Sequence, residues 1–353
     1  MDLSAATPAT GIWRRLEGGG LWLAVFAFLL LAAMLAGICM GRLSIAPAAV
    51  LDIIMTQWWP GGSHDWTKLQ ESIVVLVRAP RIVIAALSGI GMAMAGAALQ
   101  GLFRNPLVSP DILGITAGAA FGGALAILLG GSGMVLIGLA FALGIAALVL
   151  VGLLSRVDGR SDTMTVVLAG IVVGAMFTAF VSLVQFVADP DSTLPAIVGW
   201  LMGSFAATTW TRVAIATPPI LIGILGLLML RFRVNILSLG EDEAQSFGIS
   251  VQRERWIIFL LSTLIAGGVV SVAGIVGWVG LVIPHAARLL VGPDHRILIP
   301  AAGLLGGAYL VMIDTVARNA TAAEIPLGVL TAAIGAPVFA ILLRRVYVSG
   351  IRA

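Results

Sequence analysis

The sequence predicts an all-α, polytopic membrane protein of about ten transmembrane helices with an inverted internal repeat. Three observations predict it. Of 353 residues, 60% are apolar and only 10% charged, with a mean hydropathy of +1.09, whereas a soluble domain carries about a quarter charged residues to cover its surface. Uncharged apolar runs recur at 21–40, 82–103, 112–130, 134–154, 163–187, 213–230, 256–283, 297–313 and 326–343, each near the roughly 20 residues that cross a bilayer core. Arginines gather beside the ends of alternate runs, which fixes an orientation.

Arg14 and Arg15 precede the first run and place the N-terminus in the cytoplasm. That run contains the lone cysteine, Cys39, which excludes an internal disulfide. Ile38 stands where a lipoprotein cleavage site needs a small residue, so the run reads as a retained first helix. The next stretch, 57–68, holds Trp58, Trp59, His64 and Trp66 and reads as an interfacial aromatic belt. Arg104, and Arg156 with Arg160, mark inner turns. Six crossings bring the chain back inside at Arg231, Arg233, Arg253 and Arg255, and Arg344 and Arg345 place the end inside too.

Parity then requires an even number of crossings after residue 255, yet only three long runs follow. The stretch 256–291 contains Gly267, Gly268, Gly274, Gly277, Gly280 and Pro284, residues expected where a membrane helix is interrupted. A short eighth helix is therefore expected around 283–291, with Arg288 its awkward member. The segments from Gly96 to Pro106 and from Gly274 to Pro284 each run from a glycine to a proline ten residues on. Lying five crossings apart, they would be oppositely oriented, as in the inverted repeats of transporters. The chain divides into a cytoplasmic segment 1–20, a single membrane domain 21–345 and a cytoplasmic tail 346–353.

Loop 231–255 carries four basic and four acidic residues. Glu241, Asp242 and Glu243 follow Gly240, the composition of a helix start where acids meet the dipole, and Gly248 reads as its stop. The alternative is a solvated connection. At Arg104-Asn105-Pro106-Leu107 the pattern also fits an ordinary helix-terminating Asn-Pro turn. Arg318 stands four residues after Asp314, the spacing of an ion pair on one helix.

These segments resemble the FecCD-type permeases, the membrane subunits of ATP-driven importers for iron-siderophores, haem and vitamin B12. The resemblance rests on Ser238 to Gly248 (SLGEDEAQSFG), on Arg78-Ala79-Pro80-Arg81 with Ala79 in place of the family's Leu, and on Gly96 to Gly114 (GAALQGLFRNPLVSPDILG). It extends over Gly280 to Arg288, Gly292 to Arg296, Asp314 to Arg318, Ile325 to Gly328 and Gly335 to Pro337, in the family's order over roughly residues 75 to 345.

The resemblance implies a second permease, identical or paralogous, two ATP-binding-cassette ATPase subunits and a periplasmic binding protein as partners, in the lipid of a bacterial inner membrane. It implies no role for nucleic acid. It assigns Leu239, Gly240, Glu241, Asp242, Glu243, Ala244 and Gly248 to coupling with the ATPase. Arg78, Arg81 and Arg318 become docking groups for acids of the binding protein, and Asn105, Leu107 and Thr163 a cytoplasmic constriction. No cofactor is expected on this subunit, since ATP and Mg belong to the partner ATPase, and no metal site, since His64, His285 and His295 are scattered. The expected cargo is a ferric siderophore or haem, with vitamin B12 or an oxyanion as alternatives.

ATP hydrolysis cannot reside here, because a Walker A loop needs Gly-Lys-Ser/Thr and the sole lysine, Lys68, follows Thr67. A secondary ion-coupled transporter would need ionisable relays inside its spans, and apart from Asp314 the long runs hold almost none. An intramembrane protease would need a Ser–His pair or paired aspartates deep in the spans, and neither is evident.

Overall fold

The computed structural model describes residues 10–57, 59, 66–156 and 163–350, and side chains within these apart from those of 10–18, 163, 342–343 and 345–350. Trp58, His64 and Arg160 lie outside the described residues, as do the side chains of Arg14, Arg15, Thr163 and Arg345.

Helices account for nearly all of it: α1 (Thr10–Cys39), α2 (Pro47–Thr56), α3 (Lys68–Ser72), α4 (Ala79–Phe103), α5 (Ile115–Leu128), α6 (Met134–Leu154), α7 (Thr163–Val187) and α8 (Thr193–Leu201). They continue as α9 (Trp210–Leu237), α10 (Glu241–Ser246), α11 (Val251–Ala273), α12 (Val279–Val291), α13 (His295–Ala320) and α14 (Leu327–Gly350). A π-helical stretch, Ile73–Arg78, joins α3 to α4, and a 3-10 turn, Pro110–Leu113, precedes α5. Among the described residues seven helices are long and apolar enough to cross a membrane. The shorter apolar helices α5, α12 and α14 complete ten traverses of the bundle.

Contacts give the order of those traverses. Cys39, at the end of α1, lies beside Arg78 at the start of α4, and the far end of α4 lies beside the loop that carries α10. Gly19, early in α1, meets Ile297 at the start of α13. Both α12 and α13 have one end near the last turns of α4, through Arg288–Gln100 and His295–Gly101. The bundle thus has a Glu241 end and an Arg78 end. The parity argument places the broken helix well: α11 stops at Ala273, 274–278 are non-helical, and α12 follows.

The core is α4, α11 and α13, the spans with the largest buried shares, while α1, α6, α7 and α9 expose most of theirs. Lipid is as apolar as leucine, so helices here associate through close contact of small residues. A methyl added at Gly89 would strike the carbonyl of Gly306 in α13, and one at Gly96 would strike that of Gly280 in α12. The two glycine-to-proline segments are therefore neighbours. Their local structure is opposite in order, helix then turn over Gly96 to Pro106, and turn then helix over Gly274 to Pro284.

Candidate functional site

At the Glu241 end, α9 finishes at Leu237 and the backbone turns through Gly240 at φ 148°, a conformation that favours glycine. Glu241, Asp242 and Glu243 fill the first turn of α10, where acids complement the helix dipole. At the other end the Gly248 N–H donates to the Gln245 carbonyl and the Ile249 N–H to that of Ala244, with Gly248 left-handed at φ 76°. The expected short helix with a glycine at each end is present, one turn and a half long.

Ala244 is the buried anchor of α10, packed under it with no exposed surface. Arg255, 2% exposed near the start of α11, pairs with Glu241. Beyond these two attachments the segment is open. Asp242, Glu243, Gln245 and Ser246 are exposed, and so are the apolar Leu239 and Phe247 that flank the helix. Arg233 of α9 pairs with Glu254 of α11, and the Asn235 side chain accepts from the His295 N–H at 3.0 Å. These contacts tie α9, α11 and α13 beneath the segment. Asp294 caps α13, and Arg296 beside it holds the Asp294 carboxyl below the usual carboxylate range.

Asn105 and Leu107 lie at the same end and are exposed. Arg104 is left-handed at φ 50° and ends α4. The Asn105 side chain accepts from the Leu107 N–H at 2.9 Å, so it builds the turn in the manner of an Asx motif. Thr163 begins α7, with its side chain outside the described set.

Arg78, Arg81 and Arg318, the docking groups that the resemblance implies, lie together at the Arg78 end and are 4%, 6% and 7% exposed. Arg78 donates to the carbonyls of Ile38, Cys39 and Leu43, closing the end of α1. Arg81 contacts Asp314 at 2.9 Å and Glu324 at 2.9 Å. Arg318 donates to the Gly37 carbonyl and stands 3.8 Å from Asp314, its i,i+4 neighbour. An arginine at a helix end inside a membrane protein must find acceptors, and here the chain itself supplies them. The structure brings the three together as an interior network.

Arg288 is likewise satisfied, donating to Gln100 Oε1 at 3.0 Å, while Gln100 donates to the Leu281 carbonyl at 3.2 Å. Among the described residues no group of three or more His, Cys, Asp or Glu side chains is placed to hold a metal. One residue escaped the sequence reading altogether. Asp111 falls one position before the run at 112–130 and lines a cavity of about 390 Å³ beside α5 and α7.

A broken-helix, ten-traverse bundle with a short helix held out at one end is the architecture of a membrane permease that works with a separate motor. The comparisons with known proteins agree. The chain belongs to the FecCD transport family, whose model matches residues 29–345. It is 40% identical over 302 residues to the molybdate import system permease protein MolB of Haemophilus influenzae, covering 86% of this chain and 89% of that one. It is 38% identical over 277 residues to the hemin transport system permease protein HmuU of Yersinia pestis, covering 76% and 82%. A solved structure described as an inward-facing conformation of a metal-chelate type ABC transporter superposes with a TM-score of 0.82 at 38% identity, covering 92% of this chain and 98% of that one. This chain is thus a transport subunit of an ABC importer, and the ATPase of such systems is a separate subunit.

Proposed function

We propose that the chain carries a metal chelate, a ferric siderophore or haem, inward across a bacterial inner membrane, with both termini and α10 in the cytoplasm. The observation that carries the coupling half of this reading is the surface of α10. A short helix, anchored by Ala244 and the Glu241–Arg255 pair, offers acids and two exposed apolar side chains, Leu239 and Phe247, at one end of the bundle. Exposed apolar groups rimmed by charge mark a protein contact. Leu239, Gly240, Glu241, Asp242, Glu243, Ala244 and Gly248 form the seat for an ATPase subunit, and ATP and Mg act there and not on this chain.

Transport would need a second permease, identical or paralogous, because the cavity opens beside α7, whose Gly174, Thr178 and Val181 line it and whose outer face is exposed. Asn105, Leu107 and Thr163 would close the cytoplasmic side of the path between two such copies. A binding protein would dock over the Arg78 end, where Glu324 and the loop after α13 are the accessible part of the arginine network. Support for a chelate comes from the metal-chelate and hemin relatives, and the molybdate relative keeps an oxyanion as the second reading. Affinity purification from the native host in mild detergent tests the assembly. A co-purifying Walker-type ATPase is expected, and a chain that returns alone would overturn the reading.

A further inference from the structure

Two cavities of similar size open from the bundle. One, of about 390 Å³, is the cavity beside α5 and α7. There the stretch 104–114 re-enters to mid-depth, with Pro110 against Gly280 and Gly280 in turn against the Met92 carbonyl near the middle of α4. The other, of about 400 Å³, plays no part in the transport reading. Its walls come from different helices: Gly138 and Phe141 of α6, Ile215, Pro219 and Ile222 of α9, and Gly268 of α11. Every lining side chain is apolar except that of Ser271, whose Oγ donates to the Gly268 carbonyl at 2.9 Å within its own helix. Such a groove leaves a polar cargo unsatisfied and suits a hydrocarbon chain.

The sequence makes this groove and sets its depth. Pro218 and Pro219 stand inside α9 and lack the N–H groups that would bond the Ala214 and Ile215 carbonyls, so the helix loses two successive rungs there. Gly138 has nothing within 4 Å of its Cβ direction. Trp210, at the start of α9, donates to the Val75 carbonyl at 2.8 Å, which puts that start at the Arg78 end. Gly152 of α6 meets Trp256 in the first turns of α11, and Phe141 meets Gly267 much later in α11. The groove therefore occupies the half of the bundle nearer the Arg78 end.

Arg212 stands one turn beyond the groove toward that end. Arg212, Ile215, Pro219 and Ile222 follow one another by three, four and three positions, so they share one face of α9. Arg42, Arg78, Arg81 and Arg318 at the same end all have acceptors within the chain. Arg212 is half-buried, and among the described residues its guanidinium has no hydrogen-bond or ion-pair partner. From Arg212 to Ile222 the helix advances about 15 Å at 1.5 Å per residue, half the depth of a roughly 30 Å hydrocarbon core. We propose that the groove is a binding site for an anionic phospholipid of the leaflet at the Arg78 end, its phosphate held by Arg212 and one acyl chain laid along α9 between α6 and α11. The bound chain fills the gap beside the two prolines, and the phosphate supplies the acceptor that Arg212 lacks. The site goes beyond the importer reading and stands without it; only the naming of its leaflet as the periplasmic one rests on a cytoplasmic α10.

The test is native mass spectrometry of the full chain released from mixed micelles holding equal amounts of phosphatidylglycerol and phosphatidylcholine with the same acyl chains. One phosphatidylglycerol is expected to be retained about tenfold over phosphatidylcholine, whose choline already neutralises its phosphate. Arg212→Gln should abolish that preference, and Arg212→Lys should restore much of it. Gly138→Phe fills the groove and should lower retention of both lipids in a chain that stays monodisperse, with Gly138→Leu as a smaller second filler. A phosphatidylglycerol carrying a diazirine at the end of one acyl chain should crosslink within 134–141, 215–222 or 264–271. Equal retention of the two lipids by the wild type, a preference unchanged in Arg212→Gln, or crosslinks confined to other segments would overturn the proposal. A dimer that Gly138→Phe dissolves would give the groove to a second copy of the chain and overturn it too. Each of these results leaves ATPase co-purification untouched, so failure here is distinguishable from failure of the importer reading.

Discussion

Arg81 and Asp314, 233 positions apart in the chain, meet at 2.9 Å with the aspartate wholly enclosed. The pair joins the first turn of α4 to the last turns of α13, and Glu324 completes it from the following loop. Removing one member of a buried pair strands a charge and costs about 3–5 kcal/mol, whereas replacing both with apolar residues is often neutral. Asp314→Ala should therefore lower the thermal midpoint in detergent markedly, and Arg81→Met with Asp314→Leu should recover most of it. Equal losses in the single and double variants would contradict the pair's role.

The approach of α4 to α12 at Gly96 predicts a sharp positional contrast. A methyl at Gly96 meets the Gly280 backbone, which cannot yield as a side chain can, so Gly96→Ala should destabilise by about 1–3 kcal/mol. Gly138 of α6 has open space around its Cβ direction, and Gly138→Ala should stabilise by roughly 0.5–1 kcal/mol through helix propensity. Thermal unfolding of the two variants side by side decides it.

Arg288 predicts a graded loss. Its partner Gln100 lies on α4, itself bonded to the Leu281 carbonyl, so Arg288→Met should loosen α12 and lower folded yield. Gln100→Glu keeps the acceptor for Arg288 as a charge-assisted bond but loses the donor to the Leu281 carbonyl, so it should lower folded yield less than Arg288→Met. Monodispersity on size exclusion reads both.

Ala244 predicts how much the short helix depends on its buried anchor. Ala244→Asp places a charge where the structure has no exposed surface and should release α10 while the membrane helices stay folded. Uptake would fall with insertion unchanged. Loss of insertion would mean that the residue serves the core instead.

Much of this was legible in the sequence because membrane physics writes in long runs. The runs at 134–154 and 163–187 are helices over the same residues, and parity with the glycines and proline of 267–284 called for a short helix near 283–291, which begins four residues earlier as α12. The short helix at Glu241 was one of two readings of three acids after a glycine, and the family resemblance decided for it. Elements too short to span were not. Thr193–Leu201 is apolar but only 9 residues, and Pro47–Thr56 is 10. The fate of the arginines was hidden for another reason. A sequence shows Asp314 four residues before Arg318, but nothing in it shows that Arg81 arrives at the same carboxylate from the far side of the chain. Asp111 was missed because it sits at the edge of an apolar run, and the re-entry of 104–114 that carries it to mid-depth has no periodic signal.

The most direct test of the central claim is ATPase activity of the purified permease–ATPase complex in proteoliposomes, wild type against Glu241→Lys with Asp242→Lys. The account predicts that the wild-type chain binds and stimulates the ATPase, and that the charge-reversed chain inserts normally but loses both. An undiminished complex with the reversed acids, or a wild-type chain that neither binds nor stimulates an ATPase, would contradict it.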